Sequence, residues 1–281
     1  MPLTSISFQC THDPAEAKTW FAALIERQPI ALSVVASVTE VCIAEPSRYT
    51  GPRWWAGTRE EDEVVAAFMH TPPFGLHIGL ATPEQARDLA DRLAAEGDEL
   101  PGVGGMREPA EAFRDVWVTR TGVTATTEME VGAFDLPSRP VLRFTVPGEY
   151  RHARPDDQTL VDRWAQDFVD AIEARPRSAP ALGRHVSAGR VGLWIDGGQP
   201  VSMAYASTES GGVTRVSGVW TPPELRGRGY ASGVVAALSS ERMEAGERCM
   251  LYTDLANPTS NKIYQAMGYR RIGDNITVAF S

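Results

Sequence analysis

The stretch Val219–Ser232 reads VWTPPELRGRGYAS. A strand ends in it, Pro222 and Pro223 break the strand, and Arg226-Gly227-Arg228-Gly229-Tyr230-Ala231 leads into a helix. At a helix start, successive backbone N–H groups converge on one spot and carry the positive end of the helix dipole. Gly227 and Gly229 place no Cβ between that backbone and a ligand. Arg226 and Arg228 add charge suited to phosphate oxygens. A pyrophosphate is the natural occupant. A Walker loop would need Gly-Lys-Ser/Thr four residues after its first glycine, and none is present. A dinucleotide fingerprint fits poorly as well, because Gly233 falls one position too late.

The elements around this stretch set the fold class. Thr159–Ala174 places apolar residues at helical spacing. Val191–Ile195, Val201–Ser207 and Val213–Thr221 read as three consecutive strands, the first pair joined by the Asp196-Gly197-Gly198 turn. Gly229–Ala245 follows as a helix closed by Gly246. Met250–Thr253 is a strand. Pro258–Met267 is a helix that Asn257 caps and Gly268 ends. Tyr269–Phe280 forms one or two closing strands. Antiparallel neighbours followed by βαβ units predict a mixed, twisted α/β sheet flanked by helices.

Two motifs in this half resemble one family, the GCN5-related N-acetyltransferases. Arg226 to Ala231 matches that family's R/Q-x-x-G-x-G/A signature. Asn257 to Tyr269 (NPTSNKIYQAMGY) matches its N-x-x-(A/S)-x-x-x-Y-x-x-x-G-(F/Y) segment. The resemblance covers about Arg143 to Phe280. It implies that acetyl-CoA is the cosubstrate; no metal is expected, because His12, His70, His77, His152 and His185 show no ligand spacing. The backbone around Arg226, Gly227, Arg228, Gly229, Tyr230 and Ala231 would hold the pyrophosphate. Val219, Trp220 and Thr221 would pair with the pantetheine arm, and an N–H there would meet the thioester oxygen. Asn257 and Asn261 would touch the pantetheine side. Tyr264 would act as general acid toward the departing thiolate. Many family members carry a glutamate on the strand before the loop as general base. Val213–Trp220 has no acid, only Arg215 and Ser217 as polar members, so deprotonation falls to water, Glu209, Asp254 or a backbone carbonyl.

The N-terminal half is a weaker echo. Trp54-Trp55-Ala56, Val64–His70 and Leu76–Leu80 read as strands, Pro83–Glu96 as an amphipathic helix, Pro109–Trp117 as another helix and Glu128–Phe134 as a strand. The rhythm of the C-terminal half repeats, but no phosphate loop stands near Thr82-Pro83. The Gly-rich run Leu100–Met106 (LPGVGGM) has no basic residue before Arg107 and reads as a structural loop. Breakers crowd Asp135–Gly148 and mark an exposed crossover or boundary. The expected organisation is two such domains in tandem: a degenerate one over 1–138 and a catalytic one over 139–281.

Composition narrows the function further. The chain has 281 residues, 43% of them hydrophobic and 22% charged, enough for a core without staples. A net charge of −9 disfavours nucleic acid as the partner. It mildly favours a cationic acceptor, such as a small-molecule or peptide amine. Cys10, Cys42 and Cys249 form no CxxC pair and fit a reducing, cytoplasmic setting. The N-terminal stretch lacks a signal-peptide layout, and Ile30–Ala44 is too short to span a membrane. Trp54, Trp55, Trp164 and Trp194 read as core. The function that fits is acetyl transfer to a primary amine by direct attack; the rival is an inactive acyl-CoA sensor or scaffold. Acceptor and oligomeric state are not legible.

Overall fold

The computed structural model describes residues 6–59, 63–172 and 179–281. Residues 1–5, part of the stretch read for a signal peptide, and Glu173-Ala174, the end of an expected helix, lie outside the described residues. The chain forms two compact units, Met1–Gly132 with Gly273–Ser281, and Ala133–Ile272.

Both halves run through one order of elements. The first half gives β1 (Ser7–Thr11), α1 (Pro14–Arg27), α2 (Ser33–Ala44), β2 (Arg53–Thr58), β3 (Val64–His70), β4 (Leu76–Leu80), α3 (Pro83–Glu96), β5 (Gly102–Met106), α4 (Arg107–Thr121) and β6 (Ala125–Leu136). The second gives β7 (Glu149–His152), α5 (Gln158–Ile172), α6 (Gly183–Ser187), β8 (Val191–Asp196), β9 (Gln199–Ala206), β10 (Val213–Trp220), α7 (Tyr230–Glu244), β11 (Arg248–Asp254), α8 (Pro258–Met267) and β12 (Arg270–Phe280). Each reads strand, two helices, three strands, helix, strand, helix, strand. The expected mixed α/β tandem is the architecture observed.

The sheet of the first unit runs β1-β2-β3-β4-β5-β12. Its neighbours are antiparallel except β4 and β5, which are parallel. The second unit runs from the end of β6 through β11, β10, β9 and β8 to β7. There β10 and β11 are parallel, while β9/β10, β8/β9 and β7/β8 are antiparallel. The closing strand of the chain thus completes the first unit, with Asn275–Ala279 paired to Met106–Gly102.

Alternation along the strands divides each core between two faces. In the first unit Trp54, Ala67 and Met69 pack under α1 and α2 with Phe21, Leu24 and Val35. Trp55, Phe68 and Ile78 face α3 and α4 with Leu89, Phe113 and Trp117. In the second unit Trp194, Val216 and Leu251 lie under α7 and α8, while Leu193 and Met203 pack against Trp164 of α5. Trp54, Trp55, Trp164 and Trp194 are core, as expected.

One expectation fails. Leu100–Met106 is not a loop, because Gly102–Met106 is strand β5 between β4 and β12. Its glycines are packing devices: a Cβ on Gly102 would lie 2.2 Å from the Val278 carbonyl oxygen, and one on Gly105 2.5 Å from that of Ile78. Elements β1 and α1 were not anticipated. Asp13 caps α1 by accepting the Ala15 N–H, with Pro14 at its first turn. Among the described residues no helix is long and apolar enough to cross a membrane.

Candidate functional site

In the second unit the parallel pair opens into a fork. β10 and β11 pair only over Val213↔Arg248, Thr214↔Cys249 and Arg215↔Met250. Beyond that point β10 bulges: its register against β9 shifts between Ser217 and Trp220. Gly218 makes the bulge possible, with φ of +57° and a missing Cβ that would lie 2.4 Å from the Tyr205 ring. A bulge bends its strand and leaves backbone groups unpaired.

The closed end of the fork is clamped. Arg190 donates to both Glu247 oxygens (3.1 and 2.7 Å), to Thr214 Oγ1 (2.7 Å) and to the Ser207 carbonyl (2.7 Å). Thr214 also donates to Glu247, and Arg242 approaches it at 3.4 Å. Arg190 and Glu247 are only 12% and 11% exposed. Burial raises the Glu247 pKa; the bonds from Arg190 and Thr214 and the nearby arginine charges outweigh that and hold it below the usual glutamate value.

At the open end β10 finishes with Val219 and Trp220, and Thr221 follows it. Val219 packs against the α7 face of the core. The Trp220 carbonyl accepts from Ser202 Oγ at 2.9 Å, and the same hydroxyl meets Thr221 Oγ1 at 2.9 Å. The Trp220 indole N–H is buried and has no partner among the described residues. Arg226 turns back onto this strand end. Its Nε donates to the Thr221 carbonyl at 3.0 Å, and its guanidinium lies 5.1 Å from the Trp220 ring centroid. The Arg226 backbone N–H is spent on Pro223, so this residue braces the loop while its side chain stays exposed.

The free donors begin one residue later. Gly227 and Gly229 have φ of +80° and +84°, and Gly229 is the residue before α7. Gly233 makes the first helical bond, to the Gly229 carbonyl at 3.0 Å. The N–H groups of Gly227, Arg228, Gly229, Tyr230, Ala231 and Ser232 have no acceptor among the described residues. No side chain caps this helix. Gly227 borders open space, and Arg228 is exposed. The Tyr230 side chain is buried and donates to Asp196, so only its backbone faces the loop.

Helix α8 starts beside the other arm of the fork. Asn257 accepts the Ser260 N–H at 3.1 Å, the cap expected of it. One turn on, Asn261 Nδ2 donates to the Asp254 carbonyl at 3.1 Å, and its Oδ1 is buried without a partner among the described residues. Tyr264 is 9% exposed and packs edge-on against Tyr269, ring centroids 5.9 Å apart. Burial pushes its phenol up to about 12. Of the bases considered, Glu209 precedes β10 and accepts the Gly212 N–H at 2.5 Å. That puts it at the wrong end of a strand about 25 Å long. Asp254 closes β11 and accepts the Ala256 N–H at 2.8 Å. Arg215 lies half-buried on β10; burial lowers its pKa, with the Tyr252 and Tyr205 phenols nearby opposing that shift.

Residues 191–278 match the family model described as FR47-like protein. A GCN5-related N-acetyltransferase from Sphaerobacter thermophilus superposes with a TM-score of 0.64 at 13% identity, over 96% of this chain and 94% of that one. The chain has the GCN5-related N-acetyltransferase fold. An acetyltransferase from Colwellia psychrerythraea aligns over 98% and 100% of the two chains, with a TM-score of 0.60 at 10% identity. A Drosophila protein of known structure aligns over 98% of each, with a TM-score of 0.69 at 14% identity. No curated protein matches the sequence.

Within the GCN5-related N-acetyltransferase fold, the two motifs read from sequence fall on the two sides of the fork. What the sequence did not reveal is the turn of Arg226 back onto the strand end and the unpartnered Trp220 and Asn261 atoms. Those depend on strand ends meeting in space.

Proposed function

We propose that the second unit transfers an acyl group from acetyl-CoA to a primary amine, within a ternary complex. The observation that carries this reading is the run of unpartnered N–H groups from Gly227 to Ser232 at the mouth of the β10/β11 fork. Such a run, at a helix start, suits a diphosphate. The unpaired edge of β10 suits the amide-bearing pantetheine arm, and Asn261 Oδ1 is a free acceptor on the other side.

The chemistry then follows from position. The amine nitrogen attacks the thioester carbon, and a backbone N–H near Val219–Trp220 stabilises the oxyanion. The C–S bond breaks and the sulfur takes a proton from the Tyr264 hydroxyl. With its phenol pushed up to about 12, Tyr264 keeps that proton throughout the neutral range, as a general acid must. The amine proton leaves to water or a carbonyl, since β10 carries no carboxylate. That same lack favours the second reading, an acyl-CoA sensor without turnover.

Calorimetric titration with acetyl-CoA tests the cradle. Gly229 is a poor place for a blocking variant, because a Cβ there runs into Phe144 at 2.7 Å. Gly227 opens onto free space. Gly227→Asp should weaken binding at least about tenfold by placing negative charge at the loop, whereas Gly227→Asn, of the same shape and also tolerant of positive φ, should cost far less. Equal losses in both variants would mean backbone strain, not an anion. No binding by the intact protein would overturn the reading.

A further inference from the structure

The segment Pro137–Gly148 joins β6 to β7 without regular structure, yet it is firmly tied down. Arg139 pairs with Glu244 at the end of α7 (2.5 Å). The Val141 N–H donates to the Met267 carbonyl at 3.0 Å. Leu142 packs against the α7/α8 core, and Val146 is buried in it. The Pro147 carbonyl accepts the Trp194 indole N–H at 2.7 Å. The segment is therefore a strap running from the C-terminal ends of α7 and α8 to the start of α7.

Between its anchors the strap turns Arg143, Phe144 and Thr145 outward. Phe144 is 53% exposed, an uncommon setting for a phenylalanine held by fixed neighbours. Its ring lies against Gly229: Cε2 is 2.7 Å, and Val146 Cγ2 3.4 Å, from where a Gly229 Cβ would sit. The exposed aromatic face thus borders the row of free amides. Arg143 and Arg228 are both exposed, with no ion pair or hydrogen bond among the described residues. Arg143 adjoins Phe144 along the chain and Arg228 lies in the loop itself, two cations without a counter-charge among the described residues in a chain of net charge −9.

We propose that Phe144 and Arg143 seat the nucleotide end of the acyl donor, its purine stacking on the Phe144 ring and its ribose phosphate meeting Arg143. This rests on the acyl-CoA reading above. With the diphosphate on the Gly227–Ser232 amides, the pantetheine arm runs into the fork and the adenosine 3′-phosphate stays outside, beside the loop. A purine offers a flat π surface, and a supported aromatic ring binds it with little loss of side-chain freedom. A guanidinium complements the phosphate oxygens.

The test measures binding of CoA, dephospho-CoA and 4′-phosphopantetheine by calorimetry. Phe144→Ala should weaken CoA and dephospho-CoA about tenfold and leave phosphopantetheine unchanged. Phe144→Trp should restore both. Arg143→Ala should weaken CoA severalfold and leave dephospho-CoA unchanged. Equal loss for all three ligands in Phe144→Ala would show that the ring only props the loop, and no loss would show a bystander; either overturns the seat. If thermal unfolding shows that Phe144→Ala does not fold, Phe144→Leu keeps the apolar cover, removes the π face and carries the same expectation. Intact protein that binds phosphopantetheine as tightly as CoA loses the seat but keeps the acyl-donor reading. Intact protein that binds none of the three loses both.

Discussion

The two units follow one element order and treat the end of their third consecutive strand in opposite ways. In the first, β4 passes through Ala81 straight into α3, and the helix caps itself. Thr82 Oγ1 accepts the Gln85 N–H at 3.3 Å, and Gln85 Oε1 accepts the Thr82 N–H at 2.8 Å. In the second, the nine residues 221–229 separate β10 from α7, and a left-handed glycine opens the helix with its first amides bare. A helix that satisfies its own donors gains stability and loses the capacity to bind an anion; one that leaves them bare does the reverse. The contrast extends to the following helix. Counted from the first residue, Phe113 of α4 and Tyr264 of α8 both stand seventh and both are buried, but only one carries a hydroxyl. The closed ends differ as well. Backbone crowding at Gly75 and Gly102 holds β4 to β5, where a Cβ on Gly75 would lie 2.6 Å from Gly102. An ion network around Glu247 holds β10 to β11.

Each contrast can be erased by one substitution. Tyr264→Phe gives α8 the residue type of its counterpart. Turnover should fall by about 10²–10⁴-fold with acetyl-CoA affinity unchanged, read by steady-state kinetics beside calorimetry. Unchanged turnover would remove Tyr264 from the chemistry. Glu247→Gln unclamps the fork and should cost about 3 kcal/mol in urea unfolding, because Arg190 stays buried without its counter-charge. The intact protein gains from this carboxylate only while it is ionised. That gain is complete above the unfolded value of about 4.3 and drains as pH falls through the lower folded value. Midpoints measured from pH 3 to 6 should therefore rise more steeply in the intact protein than in the variant, and parallel profiles would contradict the assignment. Gly227→Asp, at about tenfold in acetyl-CoA affinity, comes next. The smallest effect belongs to Thr82→Ala, which uncaps α3. It should cost about 1 kcal/mol and confer no second binding event, since α3 has no preceding loop to gather its amides. A second event in the titration would mean that bare amides alone suffice.

Local signals explain what was legible. The Arg226–Gly229 loop, the Asn257 cap and the terminating Gly268 are each decided within a few residues, so the candidate cradle and the order of the second half could be read directly. The Gly-rich run was misread because the reason for its glycines lies on other strands, at Ile78 on β4 and at Val278 and Ile276 on β12. Helix α1 carried a readable start in Asp13-Pro14 that went unused. Helix α2, rich in valine and apolar on most sides, offers no clear period to read. The turn of Arg226 back onto the strand end could not be foreseen, because its partners are the Thr221 carbonyl and an indole ring set by the bulge at Gly218.

The place of β12 has a consequence for biosynthesis. A ribosome that has finished β5 has made every strand of the first sheet except the one that covers that edge. Asn275–Ala279 follow after the whole second unit, a delay of roughly ten seconds or more at ordinary elongation rates. Throughout that interval the nascent first half presents Gly102–Met106 as an open edge, able to pair with any extended chain nearby. The vulnerable moment in the life of this protein is thus its synthesis, and co-expressed holdase chaperones should raise its soluble yield more than lowering the temperature after the chain is complete.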